Sequence, residues 1–263
     1  MKVGWIGLGE IGEQMALRVA GAGHDLTSFN RGAGKEAIAS TGATMTNDYT
    51  ALAAGSEVLC LCLFNDAQVR EVMFDEGTLA AMQPGSILAV HTTGSPALAR
   101  ELGERAPDGV AILDACFSGG PDDTARGDLT LMVGGEAAAL EAARPVLATY
   151  ASRINHMGPS GAGQTLKLLN NLLFATNIKQ AVEILAMAEA QGLDPGYAAQ
   201  VMCQSSGGSM ALGLMKDGVR PETLEAVRHY MVKDVKAVAD AAADTGIDIS
   251  GFAPTIAHYS SDD

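Results

Sequence analysis

Short apolar segments alternate with helix-like stretches through the first half of this chain, and that alternation constrains the fold more than any other feature. Strands are predicted at residues 3–7, 26–30, 58–64, 87–91, 110–114, 129–133 and 153–156, with helices at 11–22 and 136–149. Continuously apolar strands separated by helices are typical of a parallel sheet covered on both faces. The sequence therefore predicts a doubly wound α/β domain.

The pattern changes after a turn-rich stretch at residues 158–163, beyond which strand signals nearly vanish. Helices are predicted at 164–191, 195–204 and 223–245. A chain of 263 residues is long enough for two such domains. We predict an α/β domain at residues 1–160 and an all-helical domain at 161–263.

Charge and cysteine usage narrow the partners and the compartment. The net charge of −14 disfavours binding to nucleic acid or to an anionic membrane surface. No apolar run reaches the roughly 18 residues of a membrane span, and no signal peptide is recognisable. The four cysteines form no CxxC pair and no metal-ligand spacing, so we expect a cytoplasmic protein without a bound metal.

A glycine-rich loop follows the first predicted strand and opens the first predicted helix. Its residues form a GxGxxG pattern: Gly7, Leu8, Gly9, Glu10, Ile11 and Gly12. In that context the glycines allow a tight turn and a close approach of backbone to a pyrophosphate, which the helix N-terminus then holds. The pattern predicts a Rossmann domain that binds a nicotinamide dinucleotide.

The end of the second strand bears on the choice of dinucleotide. NAD-binding domains usually carry an acidic residue here for the ribose 2′-hydroxyl. This chain instead has Asn30 and Arg31, with Lys35 close behind. Arginine can accept a 2′-phosphate, so the sequence favours NADP, with NAD as the alternative.

Two further segments carry candidate chemistry. Ser118, Gly119 and Gly120 follow a strand end, where two glycines and a hydroxyl can cup an anion. Lys167 lies in the apolar helix, where a lysine is uncommon unless it is paired or functional. Asn171 is one turn further on the same face and can orient the lysine amine. His91, by contrast, is expected to be structural.

Four separated motifs together resemble the β-hydroxyacid dehydrogenases, which include 3-hydroxyisobutyrate dehydrogenase and several semialdehyde reductases. They are the Gly7–Gly12 loop with Asn30-Arg31, the segment 91–96 (HTTGSP), the segments 114–120 (DACFSGG) and 127–135 (GDLTLMVGG), and the segment 161–171 (GAGQTLKLLNN). A fainter fifth is Lys233-Asp234. The resemblance covers nearly the whole chain, although Cys116-Phe117 and His91 depart from the usual pattern.

The resemblance implies a function and a set of roles. It implies hydride transfer between NAD(P) and a small β-hydroxy acid, semialdehyde or oxo acid, with Lys167 as general acid/base and Asn171 beside it. It implies that Thr93 and Lys233 contact the cofactor and that the Ser118–Gly120 loop holds the substrate carboxylate. Two alternatives stay open: an imine reductase on the same scaffold, disfavoured by Lys167, and a non-enzymatic NADP-binding module. A 6-phosphogluconate dehydrogenase would need a much longer helical domain.

The long helix at 164–191 also predicts self-association. It is apolar around most of its circumference, and only about 70 residues follow it to cover that surface. We therefore expect a homodimer, or a higher homo-oligomer, built through the helical domain.

Overall fold

The computed structural model describes residues 1–260 and divides the chain after Lys167 into two compact units. The sequence places the boundary at residue 160, a few residues before the point where the structure divides. The division falls inside one long helix. Within the described range, no helix is both long enough and apolar enough to cross a bilayer.

The first unit is built on one eight-stranded sheet with the order β3-β2-β1-β4-β5-β6-β7-β8. Its strands are β1 (Lys2–Ile6), β2 (Asp25–Phe29), β3 (Thr44–Thr46), β4 (Val58–Leu61), β5 (Ile87–Val90), β6 (Ala111–Ser118), β7 (Leu129–Gly134) and β8 (Ala151–Gly158). Strands β1 to β6 run parallel to one another, which confirms the predicted doubly wound fold class.

Helices connect these strands and cover the sheet. They are α1 (Glu10–Gly21), α2 (Lys35–Ser40), α3 (Tyr49–Ala54), α4 (Asp66–Arg70), α5 (Thr78–Ala81), α6 (Pro96–Arg105), α7 (Pro121–Arg126) and α8 (Ala137–Leu147). A π-helical turn, Glu71–Asp75, lies between α4 and α5. The short elements β3, α5 and α7 were not predicted, because a few residues carry too little periodicity to be recognised.

The last two strands, β7 and β8, depart from the expected parallel arrangement and run opposite to the other six. β7 pairs antiparallel with β6, with Ser118 opposite Thr130. A parallel return needs a crossover of a dozen or more residues. The connection between Ser118 and Leu129 holds only the short helix α7, so the chain has to turn back beside β6. β6 is also longer than predicted, and Ser118 is its last residue rather than part of the following loop.

Alternate residues of the central strands supply two cores, one on each face of the sheet. On β4, Val58 and Cys60 belong to one buried cluster, whereas Leu59 and Leu61 belong to the other. All four side chains are fully buried. Burial of both faces explains why the strand is apolar throughout and not alternating.

The second unit is helical. Its elements are α9 (Ala162–Ala190, which begins in the first unit), α10 (Pro195–Cys203), α11 (Met210–Gly213), α12 (Pro221–Thr245), a 3₁₀ turn (Ser250–Phe252) and α13 (Ala253–Ser260). One face of α9 is buried with α12, for example through Leu168, Leu172 and Val238. Helix spacing of three and four residues accounts for that face.

Candidate active site

Most candidate residues of the first unit lie in loops at one edge of the sheet, or directly beside those loops. Strands β1, β2, β4, β5 and β6 run parallel, so the loops that follow them begin at the same edge. In open α/β sheets, ligands bind beyond the carboxyl ends of the strands. The predicted cofactor and substrate loops follow β1, β2, β5 and β6.

The loop after β1 combines packed and open glycines. Gly7 has φ +104°, and a Cβ there would lie 2.0 Å from the carbonyl oxygen of Cys62. A Cβ on Gly12 would lie 2.1 Å from the Gly7 oxygen, so the start of α1 can pack against the turn only as glycine. A Cβ on Gly9 would meet no described heavy atom within 4 Å. Gly7 and Gly12 are closely packed, whereas Gly9 faces open space, and this combination fits a dinucleotide pyrophosphate.

The start of α1 offers hydrogen-bond donors to an anion. Gly9 is the residue before the helix, and no described side chain caps the first turn. Leu8 is buried, Ile11 half-buried and Glu10 exposed, so of these three Leu8 belongs to the core. Uncapped N–H groups and the helix dipole together favour a phosphate at this place.

The loop after β2 is joined to the glycine-rich loop at residues 7–12, hereafter the phosphate loop. The N–H of Gly34 donates to the Leu8 oxygen at 3.1 Å, and the N–H of Asn30 donates to Thr46 at 2.7 Å. These contacts bring Arg31 beside the phosphate loop. Lys35 lies at the start of α2, where its amine is 3.7 Å from the Glu36 carboxylate and is partly neutralised by it.

Tyr49 supports Arg31. The Phe29 and Tyr49 rings stack at 3.6 Å, nearly parallel. Burial raises the pKa of the Tyr49 hydroxyl, while a hydrogen bond from the Arg31 guanidinium opposes that rise. An interaction with Tyr49 limits the rotamers that Arg31 can adopt.

Gln164 joins the loop after β5 to the start of α9. Its amide nitrogen donates to the Thr92 oxygen at 2.7 Å, and its amide oxygen accepts from the Gly94 N–H at 2.9 Å. Thr93, the predicted cofactor contact, lies between these two anchored residues and is half-buried. Gln164 itself is 3% exposed, so both of its hydrogen bonds are protected from water.

A buried carboxylate fixes the first turn of the same helix. Asp114, on β6, accepts the N–H of Gly161 and the N–H of Gln164, both at 2.8 Å. Burial raises the pKa of this carboxyl, and the backbone N–H groups that it accepts oppose the rise. Gly163 allows the approach, because a Cβ there would lie 2.4 Å from the Asp114 carbonyl oxygen.

Lys167 follows this anchored turn. Its side chain is half-buried, and its amine lies 5.9 Å from the centre of the Phe117 ring. A cation at that distance over a ring face is attracted by the ring quadrupole. Since Phe117 immediately precedes Ser118, the structure brings the predicted catalytic lysine next to the predicted substrate loop.

The loop after β6 also contains one packed and one open glycine. Gly119 has φ +133°, and a Cβ there would lie 2.6 Å from Leu129. A Cβ on Gly120 would meet none of the described atoms within 4 Å. The N–H of Gly120, however, donates to Asp123 at 2.9 Å, and Asp123 also pairs with Arg126 at 2.6 Å. Ser118 and the Gly119 N–H are thus the better candidate donors for a substrate anion.

In the second unit, Asp234 joins two of the predicted site residues. The Asn171 amide nitrogen donates to one Asp234 oxygen at 2.5 Å, and the Lys233 amine lies 2.9 Å from the other. Asn170, exposed, donates to the Asn171 oxygen at 3.1 Å. Both Asn171 and Asp234 are buried. The carboxylate therefore determines the orientation of the Asn171 amide.

No role was predicted from the sequence for Gln164, Tyr49, Asp123 or Asp234, although Gln164 and Asp234 lie within the quoted motifs. Gln164 and Asp234 left a usable signal, because each is a polar residue at a core-facing position of a helix. Tyr49 and Asp123 left none, since their roles depend on residues brought together by the fold.

Comparison with known proteins covers both units. The family described as the NAD binding domain of 6-phosphogluconate dehydrogenase matches residues 2–158. The family described as NAD-binding of NADP-dependent 3-hydroxyisobutyrate dehydrogenase matches residues 161–260. These two matches together span nearly all of the described chain.

Individual relatives agree with the family matches. The NAD-dependent L-serine dehydrogenase of Pseudomonas aeruginosa is 36% identical over 214 residues, covering 80% of this chain and 72% of that protein. The 3-hydroxyisobutyrate dehydrogenase of the same organism is 34% identical, covering 84% and 76%. The structure of Mycobacterium tuberculosis 3-hydroxyisobutyrate dehydrogenase with L-serine is 29% identical, covers 98% and 92%, and has a TM-score of 0.87.

Proposed function

Since this chain belongs to the β-hydroxyacid dehydrogenase family, we propose that its substrate is a small β-hydroxy acid, or the matching semialdehyde or oxo acid, and that Lys167 is its general acid/base. The main support for this proposal is the position of Lys167, which is half-buried over the Phe117 ring and next to Ser118. The cofactor, when bound, supplies or accepts the hydride.

Lys167 has the chemistry that the substrate oxygen requires. Hydride transfer to a carbonyl carbon leaves negative charge on the oxygen, which needs a positive neighbour and a proton. An ammonium group supplies both, and the deprotonated amine accepts the proton in the reverse direction. Hydrogen bonds of Asp114 and Gln164 hold the helical turn that precedes Lys167, so the backbone that carries the amine is fixed in place.

The substrate carboxylate is proposed to bind at Ser118 and Gly119. The hydroxyl and the N–H can donate to it, and Gly120 leaves space for its approach. The named relatives act on L-serine and on 3-hydroxyisobutyrate, which both carry a hydroxymethyl group on the carbon next to the carboxylate. That shared fragment is the substrate class we propose for this enzyme.

The preferred cofactor is proposed to be NADP. Arg31 stands where NAD-binding domains usually carry an acid, and Tyr49 holds its guanidinium. Asn30 provides no carboxylate to repel a 2′-phosphate. Thr93 and Lys233 are proposed to contact the nicotinamide half, and Asn171, oriented by Asp234, is proposed to assist Lys167.

The enzyme is proposed to act in the cytoplasm as a homodimer, or a higher homo-oligomer. On α9, apolar side chains remain exposed: Leu169, Leu173, Ile184 and Met187 are 54%, 56%, 45% and 65% exposed. Exposed apolar surface of this extent on one helix favours burial against a second copy. Light scattering at micromolar concentration should report a dimer or larger, and a monomer would contradict the proposal.

Replacing Lys167 tests the catalytic proposal. Lys167→Ala should lower kcat by about 1000-fold or more, because it removes the proton donor and the positive charge. Lys167→Arg should fail nearly as badly, because arginine does not release its proton. NADPH binding, measured by fluorescence titration, should change little in both variants. Lys179→Ala, on the same helix and paired with Glu183, is the matched control and should keep normal turnover.

Near-normal kcat in a folded Lys167→Ala variant would remove this residue from the mechanism. Turnover by the unaltered enzyme on a panel of semialdehydes and oxo acids separates an enzyme from a cofactor-binding module. Faster turnover of cyclic imines than of any carbonyl acid on that panel would favour an imine reductase.

A further inference from the structure

A cluster of polar and aromatic side chains is buried beneath the cofactor loops. Trp5 on β1, Cys60 on β4, His91 directly after β5 and Tyr150 before β8 are all fully buried. Strands β1, β4, β5 and β6 are neighbours in the sheet. The cluster therefore lies under the edge where the loops after β1 and β5 begin.

Hydrogen bonds within this cluster form a chain in which each donor points the same way, from Tyr150 through His91 to Ala115. The Nδ1 of His91 lies 2.7 Å from the Ala115 carbonyl oxygen and donates to it, which leaves Nε2 as an acceptor. The Tyr150 hydroxyl, at 3.0 Å, donates to that Nε2. The Cys60 thiol lies close enough to the Tyr150 hydroxyl for the two groups to shift each other's pKa. Each group of the chain thus has a partner, as buried polar groups require.

Neutral groups are favoured throughout the cluster. Burial lowers the pKa of His91 to about 4, against the opposing hydrogen bond to Ala115. Burial also raises the pKa of the Cys60 thiol to about 12 and raises that of the Tyr150 hydroxyl. The hydrogen-bond chain consequently keeps a single proton arrangement at neutral pH.

The rings fix the relative positions of two strands. Trp5 and His91 stack with centroids 6.0 Å apart and planes 17° apart. Tyr150 meets both rings edge-on, with interplanar angles of 87° and 86°. Aromatic pairs in these geometries add to the free energy gained by burial.

Two contacts lead from the cluster into the cofactor loops. The Trp5 indole N–H donates to the Gly7 carbonyl oxygen at 3.1 Å, and that same oxygen is the atom on which Gly12 packs. On the other side, His91 is followed directly by Thr92, whose hydroxyl accepts the Leu63 N–H at 2.8 Å. The phosphate loop and the loop after β5 that contains Thr93 (the Thr93 loop) are therefore both anchored in one buried cluster.

We propose that Trp5, His91 and Tyr150 are positioning residues for cofactor binding, which hold the phosphate loop and the Thr93 loop at the separation that the dinucleotide requires. None of the hydrogen bonds described for the cluster joins it to residues 118–120 or to Lys167, so we expect its effect on cofactor affinity and not on proton transfer. This role is independent of the substrate class and of the choice between NADP and NAD.

Two conservative variants test this role. Trp5→Phe keeps a ring but removes the donor to Gly7, and Tyr150→Phe removes the hydroxyl that donates to His91. Each should raise the Kd for NADPH and for NADH by a similar factor, about five- to tenfold, as expected for one lost hydrogen bond. The kcat at saturating cofactor should stay within about twofold, because the reacting groups are untouched.

The matched control is Val146→Ala, a fully buried change on α8 in the same hydrophobic core. It should lower the free energy of unfolding by an amount similar to Tyr150→Phe, yet leave both Kd values unchanged. Unchanged Kd values in both ring variants would overturn the positioning role. An equal rise in Kd for Val146→Ala would overturn it too, since general loosening of the core would then explain the effect.

Discussion

The phosphate loop after β1 and the Ser118–Gly120 loop after β6 use glycine in the same two ways but end differently. Each has packed glycines, Gly7 and Gly12 in the first and Gly119 in the second, and each has an open one. The helix that follows the first loop has no described side-chain cap, so its N–H groups face outward for a ligand. In the second loop, the Gly120 N–H is already bound by Asp123.

The difference indicates two strengths of anion binding. The first loop offers a bare helix N-terminus, suited to a pyrophosphate that carries charge of its own. The second loop offers a hydroxyl and one N–H next to the Asp123 carboxylate. That arrangement suits a single carboxylate that is bound more weakly than the pyrophosphate. The packed glycines determine whether each loop folds, and the open ones determine what it can bind.

The largest expected effects separate packed from open glycines in the phosphate loop. Gly12→Ala should destabilise the fold by about 3 kcal/mol, because its Cβ would overlap the Gly7 oxygen. Gly9→Ala should leave the unfolding free energy nearly unchanged but raise the Kd for NADPH at least about tenfold, since the methyl displaces the pyrophosphate from its charge-assisted hydrogen bonds. Urea unfolding and fluorescence titration measure the two quantities. Similar loss of stability in both variants would contradict the distinction.

Acid should weaken the support of the phosphate loop. His91 has its folded pKa lowered to about 4 from 6.5, so the unfolded chain takes up a proton before the folded one does. The free energy of unfolding should therefore fall by about 3 kcal/mol as the pH drops from 6.5 to 4. Cys60 and Tyr150 stay neutral over this range, because burial raises the pKa of both. Urea unfolding at several pH values checks this, and His91→Gln should show a shallower dependence. An equal dependence of the unfolding free energy on pH in the His91→Gln variant and in the unaltered protein would show that His91 does not cause the loss of stability.

Cofactor discrimination should depend on Arg31. Arg31→Ala should raise the Kd for NADPH by about 10- to 100-fold, the range for charge-assisted hydrogen bonds to a phosphate, and leave NADH nearly unaffected. Tyr49→Phe should cause a smaller loss in the same direction, since it frees the guanidinium without removing it. Parallel titrations with both cofactors measure the ratio. Equal weakening of NADPH and NADH would show that Arg31 supports the loop and does not bind the 2′-phosphate.

The smallest expected effect concerns the acid in the second loop. Asp123→Asn retains an acceptor for the Gly120 N–H but removes a negative charge next to the proposed position of the substrate carboxylate. The KM for an acidic substrate should fall by about two- to fivefold, a typical strength for a partly screened charge pair, with kcat unchanged. The neighbouring exposed Asp122→Asn is the control and should change KM less. A rise in KM would mean that Asp123 assists substrate binding.

The sequence predicted the elements whose signal is local. Apolar strands and the GxGxxG loop predicted the Rossmann domain, and the long helix was placed to within two residues of Ala162–Ala190. Strand β7 was predicted at residues 129–133, but its antiparallel direction was not, because strand direction depends on the length of a connection and not on the strand itself. The short β3 was missed because it spans three residues.

The candidate site was predicted where chemistry follows from residue type. Glycines in a loop and a lysine in an apolar helix can be recognised without a structure. The partners of these residues cannot, because they come from distant parts of the chain: Asp114 is 50 residues from the Gln164 N–H that it accepts. Asp234 likewise meets Asn171 only after the second unit folds.

A carboxylate is proposed to bind at Ser118 and Gly119 while Lys167 transfers the proton. The most direct test compares kcat/KM for a small semialdehyde acid with that for its uncharged amide, using the unaltered enzyme and saturating NADPH. We expect the amide to be slower by at least about tenfold, the effect of losing one charge-assisted hydrogen bond. An amide that reacts as fast as the acid, or faster, would contradict a carboxylate site at Ser118 and Gly119.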